Sequence, residues 1–539
     1  MSMDLNHHLY GIGLPGPRRE GPVEAMGFKA GNLARMAAIG LPVPQAFVLG
    51  TPLCQAFNAD AEAFRLPLRK LLESQIERLE AACGLEFGAG RKPLLVSVRS
   101  GAPVSMPGMM DTILDVGLTD ATLRGLLRMT GNPRLVWDSY RRLIQQYAEV
   151  VHHLPPAPFR KALAHCMAET GAQRPQELDF RALTRLARSY LEIFEGLSGV
   201  PFPQDPLEQL HKATEAVFDS WMSPRAIEYR RMRRIDMQMG TAVTVQRMVF
   251  GNAGGTSGAG VGFSRDPATG ENRLYLDFRF NSQGEDVVSG QHSAPDTTRL
   301  ASSLPHIQAR LQSIAEILER EFGDVQEFEF TVQEGILYLL QTRSAKRTPW
   351  AALRIAVEQV NAGLWSPAKA LGLLGEVDLQ GLERQSIGDP SGHPTLASAT
   401  PAGFGVATGA VVLDPADACA QAAAGHDCIL VREDTSTADL TGIAAARGIL
   451  TARGGRTAHA AVVARQLGKA CLVGCTQLRI DLARRSLTIG GTTLREGDII
   501  TLDCTSGHIF AGAVPVLTER PDTWLKQVAA WFNHATTAS

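Results

Sequence analysis

The 539-residue chain is 45% hydrophobic and 20% charged, the balance of an ordinary globular protein rather than a disordered or fibrous one. Its 53 basic and 55 acidic side chains nearly cancel, so nothing global points to nucleic acid or a membrane surface. No stretch approaches the ~20 consecutive apolar residues of a spanning helix. The length predicts about two to four domains. The opening MSMDLNHHLYGIGLPG lacks the basic and apolar regions of a secretory signal. Eight cysteines are scattered without C-x-x-C pairs, and no His or Cys cluster accompanies Cys471 and Cys475. Reduced thiols in a cytoplasmic protein are the reading that follows.

In chain order, residues 20–115 alternate helix-like and strand-like stretches, ending in LLVSVRSGAPVSMPGMMDT, a strand that runs into a Gly/Pro loop. Residues 119–236 read as largely helical, and the strand pattern returns from 241 to about 343. A helical connector covers 349–373, and 384–401, rich in Ser, Thr, Gly and Pro, reads as a flexible linker. Short strands separated by turns, such as GAVVLD, CILVRE and GILTA, predict a compact α/β domain over about 401–515. An amphipathic helix closes the chain over 516–539. The expected division is therefore 1–345, 346–400, 401–515 and 516–539.

Three stretches carry chemistry. In GGRTAHAAVVARQLGK, Thr457 is placed to cap a short helix that Gly468 would end, with His459 in its first turn. The unpaired N–H groups and positive dipole end there disfavour imidazolium and favour an anion, which keeps the ring neutral and nucleophilic. A histidine that merely packs or caps fits the same pattern. No G-x-x-x-x-G-K-[ST] loop is present, but GNAGGTSGAGVG offers six glycines in twelve positions whose N–H groups can close on phosphate oxygens. A plain connection is the commoner role of such a loop. EFEFTVQEGILYLLQTR predicts a hairpin turning at Glu334-Gly335. Period-2 geometry puts Glu327, Glu329 and Thr331 on one face, Phe328, Phe330 and Val332 on the other, and Gln341 with Arg343 on one face of the return strand. Carboxylates there can hold Mg²⁺ and Arg343 a polyphosphate, although a hairpin with a solvated charged face is the simpler alternative. Lys29 in GFKAGNL and Arg99 at a strand end are further cationic candidates. The run Arg230, Arg231, Arg233 and Arg234 reads as a solvated helix face.

These pieces, in this order, resemble the pyruvate, phosphate dikinase family over about residues 25–515. The resemblance is carried by GFKAGNLARMAAIGLPVP, SVRSGAPVSMPGMMDTIL, DPLEQLHKATEAVFDSWMSPRAIEYRRM, MVFGNAGGTSGAGVGFSRDPATGE, NSQGEDVV, EFEFTVQEGILYLLQTRSAKRT and GILTARGGRTAHAAVVARQLGK. Phosphoenolpyruvate synthases share the histidine motif, while SMPGMMDT and NSQGEDVV favour the phosphate-using branch. The resemblance implies a multidomain α/β fold, with an ATP-grasp nucleotide-binding region carrying a helical insertion and then a swivelling phosphohistidine domain. It implies that the histidine attacks the β-phosphate of ATP, AMP leaves, and inorganic phosphate takes the γ-phosphoryl group to give pyrophosphate and phosphohistidine. Motif by motif it places the nucleophile at His459 and a catalytic arginine at Arg343. Nucleotide and phosphate contacts fall at Lys29, Arg99, Arg142, Glu327, Glu329 and Gln341, with Mg²⁺ at Glu329 and Gln341. Thr457 matches a threonine that some plant relatives phosphorylate.

The chain departs from the family pattern at several points. Phe28 replaces a glycine of the usual GGK turn, Glu327 an aspartate, Ala458 a small polar residue, and Leu276-Asp277 a Gly-Glu pair. The family continues into a (β/α)₈ barrel of ~250 residues that binds pyruvate or phosphoenolpyruvate, whereas only 24 residues follow position 515 here. The expectation is a catalytic half-enzyme that passes its phosphoryl group to pyruvate on a separate protein. A non-catalytic nucleotide-binding regulator and a dikinase with a non-pyruvate acceptor are the alternatives.

Overall fold

The computed structural model describes residues 5–15, 21–104, 106, 110–284, 297–375, 377–435, 439–455 and 459–537. The chain forms two compact units, Met1–Gly255 with Val332–Thr342, and Thr256–Thr331 with Arg343–Ser539. The chain leaves the second unit and returns to it within the hairpin of strands Gln326–Gln333 and Ile336–Ser344.

The first unit has a five-stranded antiparallel sheet in the order Leu9–Ile12, Ala46–Leu49, Ala242–Arg247, Val96–Gly101, Thr112–Val116. Helices Asp120–Thr130, Pro133–Val151, Ala157–Thr170, Phe180–Ser198, Pro206–Ser220 and Pro224–Arg233 lie between its strands in sequence. Local chemistry explains their ends. The side chains of Asn132, Asp179 and Ser223 accept from the backbone N–H groups of Leu135, Ala182 and Ala226, while Gly131, Gly171 and Gly199 stop helices in the left-handed region. Apolar stripes on these helices bury Tyr140, Tyr147, Tyr190 and Phe194 in one core.

The basic run is not uniformly solvated. Arg230 is fully buried, its guanidinium 3.8 Å from the centre of the Trp221 ring and donating to the Trp221 carbonyl at 2.6 Å. Arg231, Arg233 and Arg234 stay exposed. An aromatic face and a carbonyl compensate one guanidinium inside, which no charge pattern along the helix reveals.

In the second unit, strands Gly258–Phe263 and Tyr275–Phe280 pair antiparallel, with Gln326–Gln333 on the other side of Gly258–Phe263. Here the glycine-rich expectation needs correction. Gly258, Gly260 and Gly262 belong to a buried strand, not a loop. A Cβ on them would sit 2.2, 2.6 and 2.4 Å from the rings of Phe278, Phe330 and Phe328. Half of the glycines therefore make room for aromatic rings, and Gly254 with Gly255 are left in the open turn. Gly262→Val is expected to destabilise the protein by about 1–3 kcal/mol through overpacking. Urea unfolding checks this, and a change below ~0.5 kcal/mol would mean that the rings shift freely.

The rest of the second unit is built on an eight-stranded sheet. Its parallel centre runs Val406–Val412, Cys428–Arg432, Gly448–Thr451, Ala470–Val473, with helices Pro415–Ala423, Leu440–Ala445 and His459–Gln466 in the crossovers. The stretch expected as a flexible linker is partly strand. Arg384–Ile387 pairs with Val516–Glu519, Thr395–Ser398 with His508–Ala511, and Thr400–Pro401 with Ala470–Val473. Its small polar residues look unstructured only until these distant partners are present. The terminal helix is Asp522–Thr537, preceded by strand Val516–Glu519. It packs through Trp524 and Val528 onto helix Pro349–Asn361, the Trp350 and Trp524 rings being 5.4 Å apart. Ala259, Val261 and Phe263 share that core. This is why compactness groups 256–331 with the C-terminal part instead of keeping 1–345 together.

Candidate functional site

In the first unit, Lys29 is the second residue of helix Phe28–Ala38. Gly27 (φ 77°) lets the helix start press on the end of strand Val96–Gly101, since a Cβ there would lie 1.9 Å from the Gly101 carbonyl oxygen. The Phe28 N–H donates to the Ala102 carbonyl at 3.0 Å, so the phenylalanine leaves that turn intact. Lys29 is exposed and Arg99, on the strand, is half-buried. One turn along the helix, Asn32 Nδ2 donates to the Thr342 carbonyl at 2.8 Å, which ties the strand carrying Gln341 to the same helix. Lys29, Arg99 and Gln341 thus lie on three adjoining elements.

Arg142 lies on helix Pro133–Val151, where Gln146 accepts from the Leu114 N–H at 3.0 Å, beside the strand paired with Arg99. Arg141 Nε and Arg142 Nε donate to the two oxygens of Asp138 at 2.9 and 3.0 Å. Burial opposes ionisation of Asp138, yet Arg141, Arg142 and Arg134 outweigh it and hold the carboxyl at about 2. A depressed folded value gives stabilisation that is complete above the unfolded pKa near 4 and is lost as pH falls toward 2. Asp138→Asn is expected to cost about 2 kcal/mol near neutrality and to flatten the acid limb between pH ~4 and ~2. Urea unfolding across that range checks it, and an unchanged acid limb would contradict the pairing.

In the second unit strand Gln326–Gln333 presents two different faces. Phe328 and Phe330 cover the glycine strand, with Phe330 stacked on Phe278 at 5.8 Å. On the opposite face Arg343 Nη2 donates to Glu327 Oε1 at 2.6 Å. Burial works against the charge on Arg343, but Glu327 and then Glu329 raise its pKa above the ordinary value. Glu327 is buried and Glu329 half-buried. The turn itself uses φ of 50° at Glu334 and 78° at Gly335, the positive pair of a two-residue hairpin.

His459 is the first residue of helix His459–Gln466, which follows parallel strand Gly448–Thr451 and ends before Gly468 (φ 64°). The carboxyl ends of parallel strands, where helix N-termini converge, are where α/β sheets take anions. Thr457 and Ala458 lie outside the described residues, as do the last residues of NSQGEDVV and parts of SMPGMMDT.

The sequence pattern did not single out Asp277 and Arg279 as a pair. Both are buried on strand Tyr275–Phe280, 1% and 7% exposed, and they face Gly455. The available signal was the alternation of charge and ring in Asp277-Phe278-Arg279-Phe280, a strand with two different covered faces.

Two domain families match the chain. Residues 62–310 match the pyruvate phosphate dikinase AMP/ATP-binding domain, and residues 424–507 the mobile domain of PEP-utilising enzymes. Pyruvate, phosphate dikinase of Clostridium symbiosum is 41% identical over 516 residues, covering 94% of this chain and 58% of that protein. The Rhizobium meliloti enzyme is 42% identical over 522 residues (95% and 58%), and chloroplastic pyruvate, phosphate dikinase 1 of Zea mays 42% over 512 (95% and 54%). Over the matched residues the chain is thus similar to the AMP/ATP-binding domain of pyruvate, phosphate dikinases and to the mobile domain of PEP-utilising enzymes. The chain spans little more than half the length of these relatives. Among the described residues no helix is long and apolar enough to cross a membrane.

Proposed function

We propose that the chain carries out the nucleotide half of a dikinase reaction, with an ATP-grasp region supplying ATP and a swivelling domain carrying the phosphoryl group on His459. A ring nitrogen of His459 attacks the β-phosphorus of ATP, the bond from that phosphorus to the AMP oxygen breaks, and AMP leaves. An oxygen of inorganic phosphate then attacks the γ-phosphorus, the bond from it to the β–γ bridging oxygen breaks, and that oxygen stays with the phosphohistidine while pyrophosphate leaves. The imidazole proton passes to solvent. What most supports the reading is the position of His459, first in a helix that follows a parallel strand, since a helix start offers unpaired backbone N–H groups to an anion.

Lys29, Arg99, Arg142 and Gln341 of the first unit, and Glu327, Glu329 and Arg343 of the second, are assigned to the nucleotide and phosphate. Arg343, fixed by Glu327, meets charge on the transferring group. Glu327 is committed to Arg343, so Glu329 is the carboxylate of this strand suited to the Mg²⁺ that accompanies ATP, an ion held by one or two carboxylates plus phosphates. When bound, it offsets phosphate charge.

On this reading the final acceptor of the phosphoryl group is pyruvate. Intact mass after incubation with ATP, Mg²⁺ and phosphate tests the first step. A gain of one phosphoryl group is expected, and an unchanged mass would refute the proposal.

A further inference from the structure

The turn before His459 rests on two buried charges. Gly454 has φ 106°, but Gly455 has a backbone that any residue can adopt. What a side chain at Gly455 would meet is the end of a neighbouring carboxylate, which would have to move. A Cβ there would lie 2.8 Å from Asp277 Oδ2 and 3.6 Å from Arg279 Nη2. The helix beyond is held from the same side. Arg465, 3% exposed, sets its guanidinium 5.2 Å from the centre of the Phe263 ring, on the strand paired with Tyr275–Phe280. The Tyr275 hydroxyl donates to the Pro401 carbonyl at 3.2 Å, beside strand Ala470–Val473.

We propose that Asp277 and Arg279 form a seat that receives the Gly454–Gly455 turn and so aligns His459 for phosphoryl transfer, with Arg465 on Phe263 holding the rest of the helix. The proposal rests on His459 being the nucleophile. Asp277 and Arg279 act as positioning residues. A seat of opposite charges suits a domain that docks and leaves. Both groups are well solvated when uncovered, where an apolar seat would expose a sticky patch. Glycine at 455 brings the backbone against the carboxylate with nothing to interlock, so release needs no side-chain rearrangement. Misplacing a reacting group by about 1 Å is enough to slow transfer strongly.

The test uses the full chain with ATP, Mg²⁺ and phosphate, following phosphohistidine in a single turnover by rapid quench. Gly455→Ala is expected to slow labelling about ten-fold or more, with ATP affinity and Tm unchanged. Phosphoramidate, a small phosphoryl donor that needs no docking, should label His459 equally in both proteins. In an Asp277→Gly background the carboxylate is gone, so Gly455→Ala should have little further effect. The seat is overturned if Gly455→Ala transfers at the parent rate. It is equally overturned by the same slowing in the Asp277→Gly background, or by a fall in Tm or in phosphoramidate labelling. If the parent chain itself takes no label from ATP, the proposed function fails and the seat with it. A labelled parent with an unaffected variant removes the seat alone.

Discussion

His459→Ala is expected to take up no phosphoryl group from ATP, whereas the parent chain takes one that is acid-labile and base-stable. The expectation starts from the helix. The residue opens His459–Gln466, where N–H groups lack helical acceptors and the dipole end is positive. A helix start of this kind favours a bound anion, which is the form the phosphoryl group takes. In the best-characterised case, losing a nucleophile costs on the order of 10⁶-fold, so residual label should be undetectable. The measurement is ATP labelled in its β-phosphate, with Mg²⁺ and phosphate, followed by acid and base treatment. Label that persists in His459→Ala would place the phosphoryl group elsewhere.

Glu329→Ala is expected to abolish AMP formation, while His459→Ala still binds ATP. Glu327 is occupied by Arg343 at 2.6 Å, and Glu329 is the next residue on that strand face. Its carboxylate also favours the charge on Arg343. Removing it deprives the site of a cation-binding oxygen and leaves the arginine with less compensation. A loss on the order of 10²–10³-fold follows if it acts on developing phosphate charge. Glu329→Gln keeps the shape without the charge and should fail almost as badly. Calorimetry with ATP and an assay of AMP release separate binding from chemistry. If His459→Ala lost ATP binding while Glu329→Ala released AMP normally, the division between nucleotide site and carrier would be wrong.

The elements legible in the sequence are those set by neighbours a few residues away. The Glu334-Gly335 turn forms because two residues accept positive φ and flanking strands alternate. The helix ends marked by Asn132, Asp179 and Gly199 follow from groups within one turn of each other. The separation of Glu327 and Glu329 from Phe328 and Phe330 needs only a strand's period. The helix opening at His459 and stopping before Gly468 was likewise a local pattern.

What tertiary structure decided depends on partners far along the chain. Arg384–Ile387 is strand because Val516–Glu519 satisfies its backbone, and its own Ser and Gln say nothing of that. Gly258, Gly260 and Gly262 are a seat for three phenylalanine rings, where composition alone read a loop. Arg230 is buried because Trp221 and a carbonyl surround it. Asp277, noted in the sequence only as a replacement, meets Gly455 across 178 positions of chain. Local capping and periodicity are written in consecutive residues, because the interacting groups are covalent neighbours. Burial and strand pairing are properties of surfaces, and only the folded chain brings those surfaces together.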